Sequence, residues 1–566
     1  MSEFFQQDLP ACPKQTRFLG ASRLAQKTLA HRTLILTAAV GAMVGIAGCG
    51  SNLRPTVTPI VGTGPASQPT AYAFVISAPI SSPTAQGYGT VIDYSGDTVM
   101  ASAPIGPGPV TFALNSGGTA AWTLNEDGTV SNIPVTTNLQ EKQITYSTLN
   151  QVPTVGTPTD PAGIDPVVAL FGGTLGLYAL DVNLNQIDVL TGSPDAFKQD
   201  VPVDETPVTV VGVSGATRFY SISQMIPYLT TTTLDSNTVD GGVACNIDPY
   251  SVGVNGIADG IESTTYTRSS QIPVGICPVY AVGSPDTRRV YVLNRGSDTI
   301  SVINSQNNTL DTCVCPPTGC VNQSGQTYTC HPTLPLSKTA VTATGITPPN
   351  GTTGMATLAG PVYAEFNSAT QQLIVADYQG GTISIIDVSL DEYGNDSATF
   401  GTTFTVPVGT NPASVTVLAD GSRAYTANQT DGTVSIVDLA SHTIETTLPV
   451  TGNPRTVVST QNSIYGKVFV VSPNSPYVTI IRTDQDIIDT TVLVQGNAVD
   501  IRTTSPDATS TNGNLISRLP GAGQPCYLPP SAFTASTPLT LANCKAQDPS
   551  LLTAAPQTTA PRTLRQ

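Results

Sequence analysis

The chain is poor in charge, and poorer still in positive charge. Charged residues make up 11% of its 566 positions, with 23 Lys and Arg against 39 Asp and Glu. A protein that grips nucleic acid must neutralise phosphates with Lys and Arg, so no nucleic-acid partner is expected. Only three histidines occur, His31, His331 and His442, too few for a histidine-built metal centre. A Gly-x-Ser-x-Gly elbow, a Gly-rich phosphate loop and a His-Glu-x-x-His helix are all missing. No catalytic residue, cofactor or metal ligand is assigned on this basis. Aromatics are 6%, with a single tryptophan, Trp122. The one long apolar run, residues 34–47, is too short to span a bilayer comfortably.

Turn-forming residues are what the chain has in quantity, 50 Gly and 46 Pro. Residues 404–454 show how they are used. The signature Pro407-Val408-Gly409-Thr410-Asn411-Pro412 returns as Pro449-Val450-Thr451-Gly452-Asn453-Pro454, 42 positions later. Between the two lie four runs rich in Val, Ile, Thr and Tyr, at 414–418, 423–427, 433–439 and 443–450, separated by Asp-Gly and Asn/Gly turns. That pattern is a meander of antiparallel hairpins. Four strands in about 42 residues is the size of one β-propeller blade. Pro-(Val/Ile)-x-x-x-Pro also begins at Pro104, Pro202 and Pro273, each time just before a strand-like segment. Proline cannot donate to a ladder, so it belongs where one sheet ends and the next begins.

The second half of the unit recurs as RVYVLNRGSDTISVIN at 289–304, LIVADYQGGTISIID at 373–387 and AYTANQTDGTVSIVD at 424–438. Here the chain resembles the YVTN family of surface β-propeller repeats. The match is close over 279–500, looser at 72–94 and 122–134, and faint over 220–276. The resemblance implies architecture and says little about activity, because propellers host many unrelated functions.

The expected fold is all-β, a β-propeller of seven or eight four-stranded blades. Units start near residues 71, 110, 167, 208, 279, 361, 413 and 455, and 500–504 returns to complete the first. The ring is thus closed by N- and C-terminal strands, with eight blades if 208–278 is one. Around this domain, 71–504, we expect a lipoprotein signal peptide at 1–48, a flexible tether at 49–70 and a Ser/Thr/Pro-rich tail at 505–566. Insertions are expected at 228–267 and 306–360, loops on one rim that the ring does not need. Trp122 sits at a strand position equivalent to Tyr291 and Tyr425 and reads as core, and His442 as a solvated turn residue. Asp298, Asp387, Asp431 and Asp438 recur at repeat-equivalent or turn positions, which marks them as architecture.

Residues 1–32 are basic, and the apolar run after them ends in Ile46-Ala47-Gly48-Cys49. This is a signal peptide whose last residues resemble the bacterial lipobox, so Cys49 is the expected lipidated residue. Beyond residue 48 the chain holds 18 Lys and Arg against 37 Asp and Glu, a net charge of −19. Eight further cysteines, Cys245, Cys277, Cys313, Cys315, Cys320, Cys330, Cys526 and Cys544, form an even set in an exported chain and read as disulfides. Proximity suggests Cys245–Cys277 and Cys526–Cys544, while the group of four pairs internally in any of three ways. Because Cys330 is followed by His331, that group also admits a zinc reading. Two functions remain open. One is a lipid-anchored, extracytoplasmic and monomeric binding or envelope-surface module for a protein or glycan. The other is a lactonase-like hydrolase working in the central channel, as the fold's resemblance to seven-bladed lactonases implies.

Overall fold

The computed structural model describes residues 72–504 and the pair Leu539–Thr540. Residues 136–144, 149–166, 226–254 (Thr233–Leu234 excepted), 337–358 and several short turns are left outside. Cys49, Cys245, Cys526 and Cys544, with the leader, the tether and nearly all of the tail, therefore lie outside the described residues.

Eight antiparallel sheets form a closed ring, and among the described residues there is no helix. From the centre outward, blade 1 is Asn497–Thr503, Tyr72–Ala78, Gln86–Asp93 and Val99–Pro107. Blade 2 runs Pro109–Leu114, Ala120–Asn125, Thr129–Pro134 and Thr145–Thr148, and blade 3 Val167–Gly172, Leu177–Asp181, Gln186–Gly192 and Asp195–Pro202. Blade 4 is Pro207–Gly212, Arg218–Ser223, Asn255–Glu262 and Thr267–Ile276. Blade 5 begins Pro278–Gly283, Arg289–Asn294 and Thr299–Asn304. Blade 6 is Pro361–Asn367, Gln372–Asp377, Thr382–Asp387 and Thr403–Pro407. Blade 7 is Pro412–Val417, Arg423–Asn428, Thr433–Asp438 and Thr443–Pro449, and blade 8 Thr456–Ser459, Lys467–Val471, Tyr477–Arg482 and Ile487–Leu493. Each innermost strand packs on the next, and the last returns to the first. The signature prolines sit at blade boundaries: Pro202, Pro407 and Pro449 end outer strands, while Pro109, Pro207, Pro278 and Pro412 open inner ones.

Closure joins the two ends of the domain. Asn497–Thr503 pairs with Tyr72–Ala78, with Phe74 opposite Arg502 and Val75 opposite Ile501. The Thr504 amide donates to Tyr72 O at 2.8 Å, and the Tyr72 amide donates to Thr504 Oγ1 at 2.7 Å.

The repeated Asn and Ser of the motif have a physical role. Asn428, at the end of a second strand, donates from Nδ2 to Thr433 Oγ1 (3.1 Å) and Ser435 Oγ (2.8 Å) of the third. Asn294 does the same with Thr299 (3.2 Å) and Ser301 (3.0 Å), and Asn125 reaches Ser131 at 3.1 Å. Each carboxamide also lies against the glycine leaving the preceding blade. A Cβ on Gly106, Gly275 or Gly409 would fall within 2.0–2.6 Å of atoms of Asn125, Asn294 or Asn428. Glycine therefore stands third in three of the five proline signatures because a carboxamide occupies its side-chain space.

A second device ties blade to blade. A cation opens the second strand in blades 4, 5, 7 and 8 and reaches the next blade. Arg218 Nη1 donates to Ser305 O at 2.9 Å. Arg289 Nη2 donates to Gly394 O at 3.2 Å. Arg423 pairs with Asp486 and donates to Thr483 O at 2.7 Å, and Lys467 pairs with Asp97 at 2.5 Å.

Two expected boundaries are corrected. Residues 228–267 are not wholly an insertion, because Asn255–Glu262 is the third strand of blade 4, with Gly260 opposite Tyr220. Its sequence, NGIADGIE, breaks the apolar alternation with two glycines, and the reason is spatial. A Cβ at Gly256 would meet Pro278 at 2.4 Å, and one at Gly260 would meet Ser270 at 2.4 Å. Nor is the ring independent of 306–360. The fourth strand of blade 5 is split, Thr309–Leu310 and Thr333–Pro335 both pairing with Thr299–Asn304. Leu334 and Leu336 are buried in the core.

The glycine and carboxamide contact predicts coupling. Gly409→Ala should destabilise by about 1–3 kcal/mol through overpacking, and Asn428→Ala by a similar amount through lost hydrogen bonds. In urea unfolding the double variant should lose clearly less than the sum, because one change makes room for the other. Strict additivity would show that the contact is not tight.

Candidate functional site

The central channel is the first place to look, and among the described residues its carboxylates are engaged. Asp500, on the closing strand, accepts from Thr456 of blade 8 (3.0 Å) and Thr111 of blade 2 (3.2 Å), and pairs with Arg502 at 2.7 Å. Arg502 in turn lies 5.1 Å from the Phe112 ring centre. Glu365 of blade 6 accepts from the Val417 amide of blade 7 at 3.2 Å. Thr416 and Ser459 continue the chain of contacts into blade 8, their hydroxyls 3.2 Å apart. Burial pushes the Glu365 carboxyl up to about 8, against the opposing Val417 and Thr416 donors. Tyr280 and Tyr363 pack ring to ring at 4.9 Å between blades 5 and 6. Half-buried Arg455 completes the group, held below the usual guanidinium range by burial, with Asp500 opposing. These groups bridge blades 6, 7, 8, 1 and 2, as an inner girdle.

A second location departs from the repeat. Three second strands open with Arg-x-Tyr, at Arg218 and Tyr220, Arg289 and Tyr291, and Arg423 and Tyr425. At the blade 7–8 boundary both members meet one carboxylate, Asp486. At the blade 5–6 boundary they do not. Arg289 pairs with Asp311 (3.2 Å) and Asp396 (3.4 Å), both almost wholly buried. Asp396 also holds the His331 amide at 2.9 Å and its Nδ1 at 2.8 Å. Burial raises Asp311 to about 6, with Arg289 opposing and Asp396 adding to the rise. No hydrogen bond from the described residues reaches the Tyr291 hydroxyl. Above it a cleft of about 110 Å³ opens at the rim, lined by Ser284, Asp286, Arg289, Tyr291, Phe366 and Gln371 among others.

Beside this cleft stands the cysteine-rich segment. Cys313 is joined to Cys330 and Cys315 to Cys320, with Cα atoms 5.5 and 4.8 Å apart. Three of these sulfurs lie within 4.8 Å of one another, but disulfide sulfur offers no thiolate to a metal, so the zinc reading does not fit. The hairpin Cys320–Val321 and Thr327–Tyr328 rests on the 388–402 loop of blade 6. Asn322 donates to Asp391 at 3.2 Å, Ser324 meets the Tyr393 hydroxyl, and His331 stacks on Phe400 at 5.3 Å. Cys277 is buried and disulfide-bonded to a partner outside the described residues.

Residues read as architecture behave as such. Trp122 is buried with Leu170 and Leu177 between blades 2 and 3. Asp387 and Asp438 accept from turn amides, Asp431 from Thr410 and Asp298 from Gly360. His442 is a turn residue at φ 57°, stacked on Phe404 rather than bare to solvent. The Arg289, Asp311, Asp396 and His331 cluster was not anticipated. The recurring Arg-x-Tyr was visible in sequence, but its acidic partners lie in loops of no fixed spacing.

No family model matches the chain, and no curated protein matches it. Among solved structures it is similar to apo AztD from Citrobacter koseri, at 11% identity and a TM-score of 0.45, covering 76% of this chain and 97% of that one. It is also similar to a Bacteroides fragilis protein provisionally assigned as a 6-phosphogluconolactonase, at 13% identity and 0.42, covering 78% and 99%. A third is hydrazine synthase of Kuenenia stuttgartiensis, at 13% identity and 0.37, covering 75% and 98%.

The Glu365 carboxyl predicts a pH dependence with a definite sign. Its folded value, about 8, lies above the ordinary 4.5. The folded state therefore holds the proton longer than the unfolded chain, and stability falls as pH rises from about 4.5 to 8. The slope from this one group is at most about 1.4 kcal/mol per pH unit. Glu365→Gln should flatten that fall in urea unfolding across pH 5–8. An unchanged slope would show that the carboxyl is ionised in the fold.

Proposed function

We propose that this chain is a binding module rather than a catalyst, anchored outside the cytoplasm through a lipid on Cys49. It engages a protein or glycan with the rim at blades 5 and 6. The observation that carries the reading is the cysteine-rich segment. Its two disulfides and its bonds to the blade 6 loop fix Cys313, Cys315 and residues 320–331 against the ring, while only its ends serve the ring. Ordering a loop without a core of its own is entropically expensive, and cross-links reduce that cost. The engaged charges of the channel favour the rim over the channel as the place of contact. The motif resemblance to the YVTN surface repeats, the lipobox-like Ile46-Ala47-Gly48-Cys49 and the acidic remainder of the chain support an envelope-facing monomer.

Two outcomes are expected. Cys49→Ser should move the protein from the membrane to the soluble fraction, since two or more acyl chains, at about 0.8 kcal/mol per buried methylene, are what hold it. Replacement of residues 312–332 by a short Gly-Ser turn, keeping Thr309–Leu310 and Thr333–Leu336, should abolish retention on purified envelope polysaccharide or protein while the ring still unfolds cooperatively. Retention unchanged in that variant would refute the rim as the site.

A further inference from the structure

The cleft between blades 5 and 6 lies at one of the two Arg-x-Tyr copies whose tyrosine hydroxyl has no partner among the described residues, Tyr220 at the blade 4–5 boundary being the other. At the blade 7–8 boundary, Arg423 and Tyr425 converge on Asp486, and the gap is closed. At blades 5–6 the corresponding carboxylate, Asp396, is drawn outward by His331 and Arg289. What remains is a cavity of about 110 Å³ whose lining includes the Tyr291 hydroxyl, which no hydrogen bond from the described residues reaches. Arg289 Nε also has no hydrogen-bond partner among the described residues, but it is sealed from the cavity.

The lining defines the class of ligand. The donor at the floor is the Tyr291 hydroxyl. At the mouth, exposed Asp286 accepts from Ser284 Oγ at 2.5 Å and keeps its second oxygen for a visitor. Gln371 accepts the Leu390 amide at 3.3 Å, leaving its NH₂ to donate. Phe366, stacked on Tyr291 at 6.4 Å, supplies an apolar wall. An anion is disfavoured, because Asp286, Asp311 and Asp396 surround the one guanidinium, which already serves two of them. A cation is disfavoured by Arg289 itself. A ligand that gives and accepts hydrogen bonds, carries no charge and has one apolar face satisfies every wall.

We propose that the blade 5–6 cleft binds one uncharged sugar residue, the terminal unit of a glycan, with its C–H face on Phe366 and its hydroxyls on Tyr291, Gln371 and Asp286. The volume admits about one ring and no more of a chain. This proposal rests on the binding reading above and narrows it to a chemistry.

The test uses the full chain and a panel of neutral methyl hexosides and N-acetylhexosaminides, followed by saturation-transfer NMR and calorimetry. At least one should bind, in the millimolar range expected of a single small polar ligand. Tyr291→Phe should weaken it about threefold to tenfold, the worth of one neutral hydrogen bond. The same change should leave thermal stability intact, because that hydroxyl has no partner among the described residues. Tyr425→Phe, which loses the bond to Asp486, should do the reverse. Failure of every glycoside to bind overturns the proposal, as does a Tyr291→Phe variant that binds normally. Tighter binding of a uronic acid than of its neutral parent overturns the uncharged assignment. If glycosides fail while the intact chain still retains an envelope protein through 312–332, the sugar assignment falls and the binding reading stands.

Discussion

The structure depends on a carboxamide placed where three strands meet. In blades 2, 5 and 7 an asparagine at the end of the second strand bonds the third strand of its own blade. It also fills the side-chain space of the glycine by which the chain leaves the blade before. The contact thus fixes two things together, the twist within a blade and the step to its neighbour. Propeller blades share no common core, since each buries its faces only against the two beside it. A ring of eight closes only if that step is repeated faithfully, and at three of its junctions a small polar contact sets it. In blade 6 Asp377 takes the position, held by Ser384 at 2.7 Å and Thr382 at 3.1 Å, and burial raises it to about 7.

Much of this was legible in the sequence because it is local. Strands two to ten residues long, set by alternation and Asp-Gly turns, were placed to within a residue at most blade starts, as at Pro109, Pro207, Pro278, Pro361 and Pro412. The same logic failed where long-range packing wrote the sequence. Gly256 and Gly260 look like a loop because their absent side chains make room for Pro278 and Ser270, residues the chain supplies later. Thr309–Leu310 and Thr333–Pro335 look like loop because each is too short to show a period, yet together they make one edge strand. The candidate cleft was hidden for a related reason. Arg289 and Tyr291 follow the repeat, and their acidic partners Asp311 and Asp396 come from loops of no fixed spacing.

The buried ionisable groups fall into two kinds. Those at the axis, Asp500 and Glu365, bond across blade boundaries and act as fasteners. Those at the blade 5–6 rim fasten the disulfide segment to the ring but leave donors unmet. Asp259 of blade 4 belongs with the fasteners, accepting the Asp204 amide at 2.8 Å and raised by burial to about 7. Several carboxyls raised by burial give the domain a common bias, since each favours the folded state more as pH falls toward its unfolded value.

The closing strand has a consequence for how the protein is made. Tyr72 meets Thr504 across 432 residues of chain, so the inner strand of blade 1 is among the last parts of the domain to leave the ribosome. At about 5–20 residues per second, roughly 20–90 s separate the two. Through that interval Phe74 and Ile76 lack their final cover, and the ring stays open at a sheet edge. A chain whose completion is postponed in this way is still unclosed while its earlier blades emerge, and blade 1 stays one strand short until the last residues of the ring arrive.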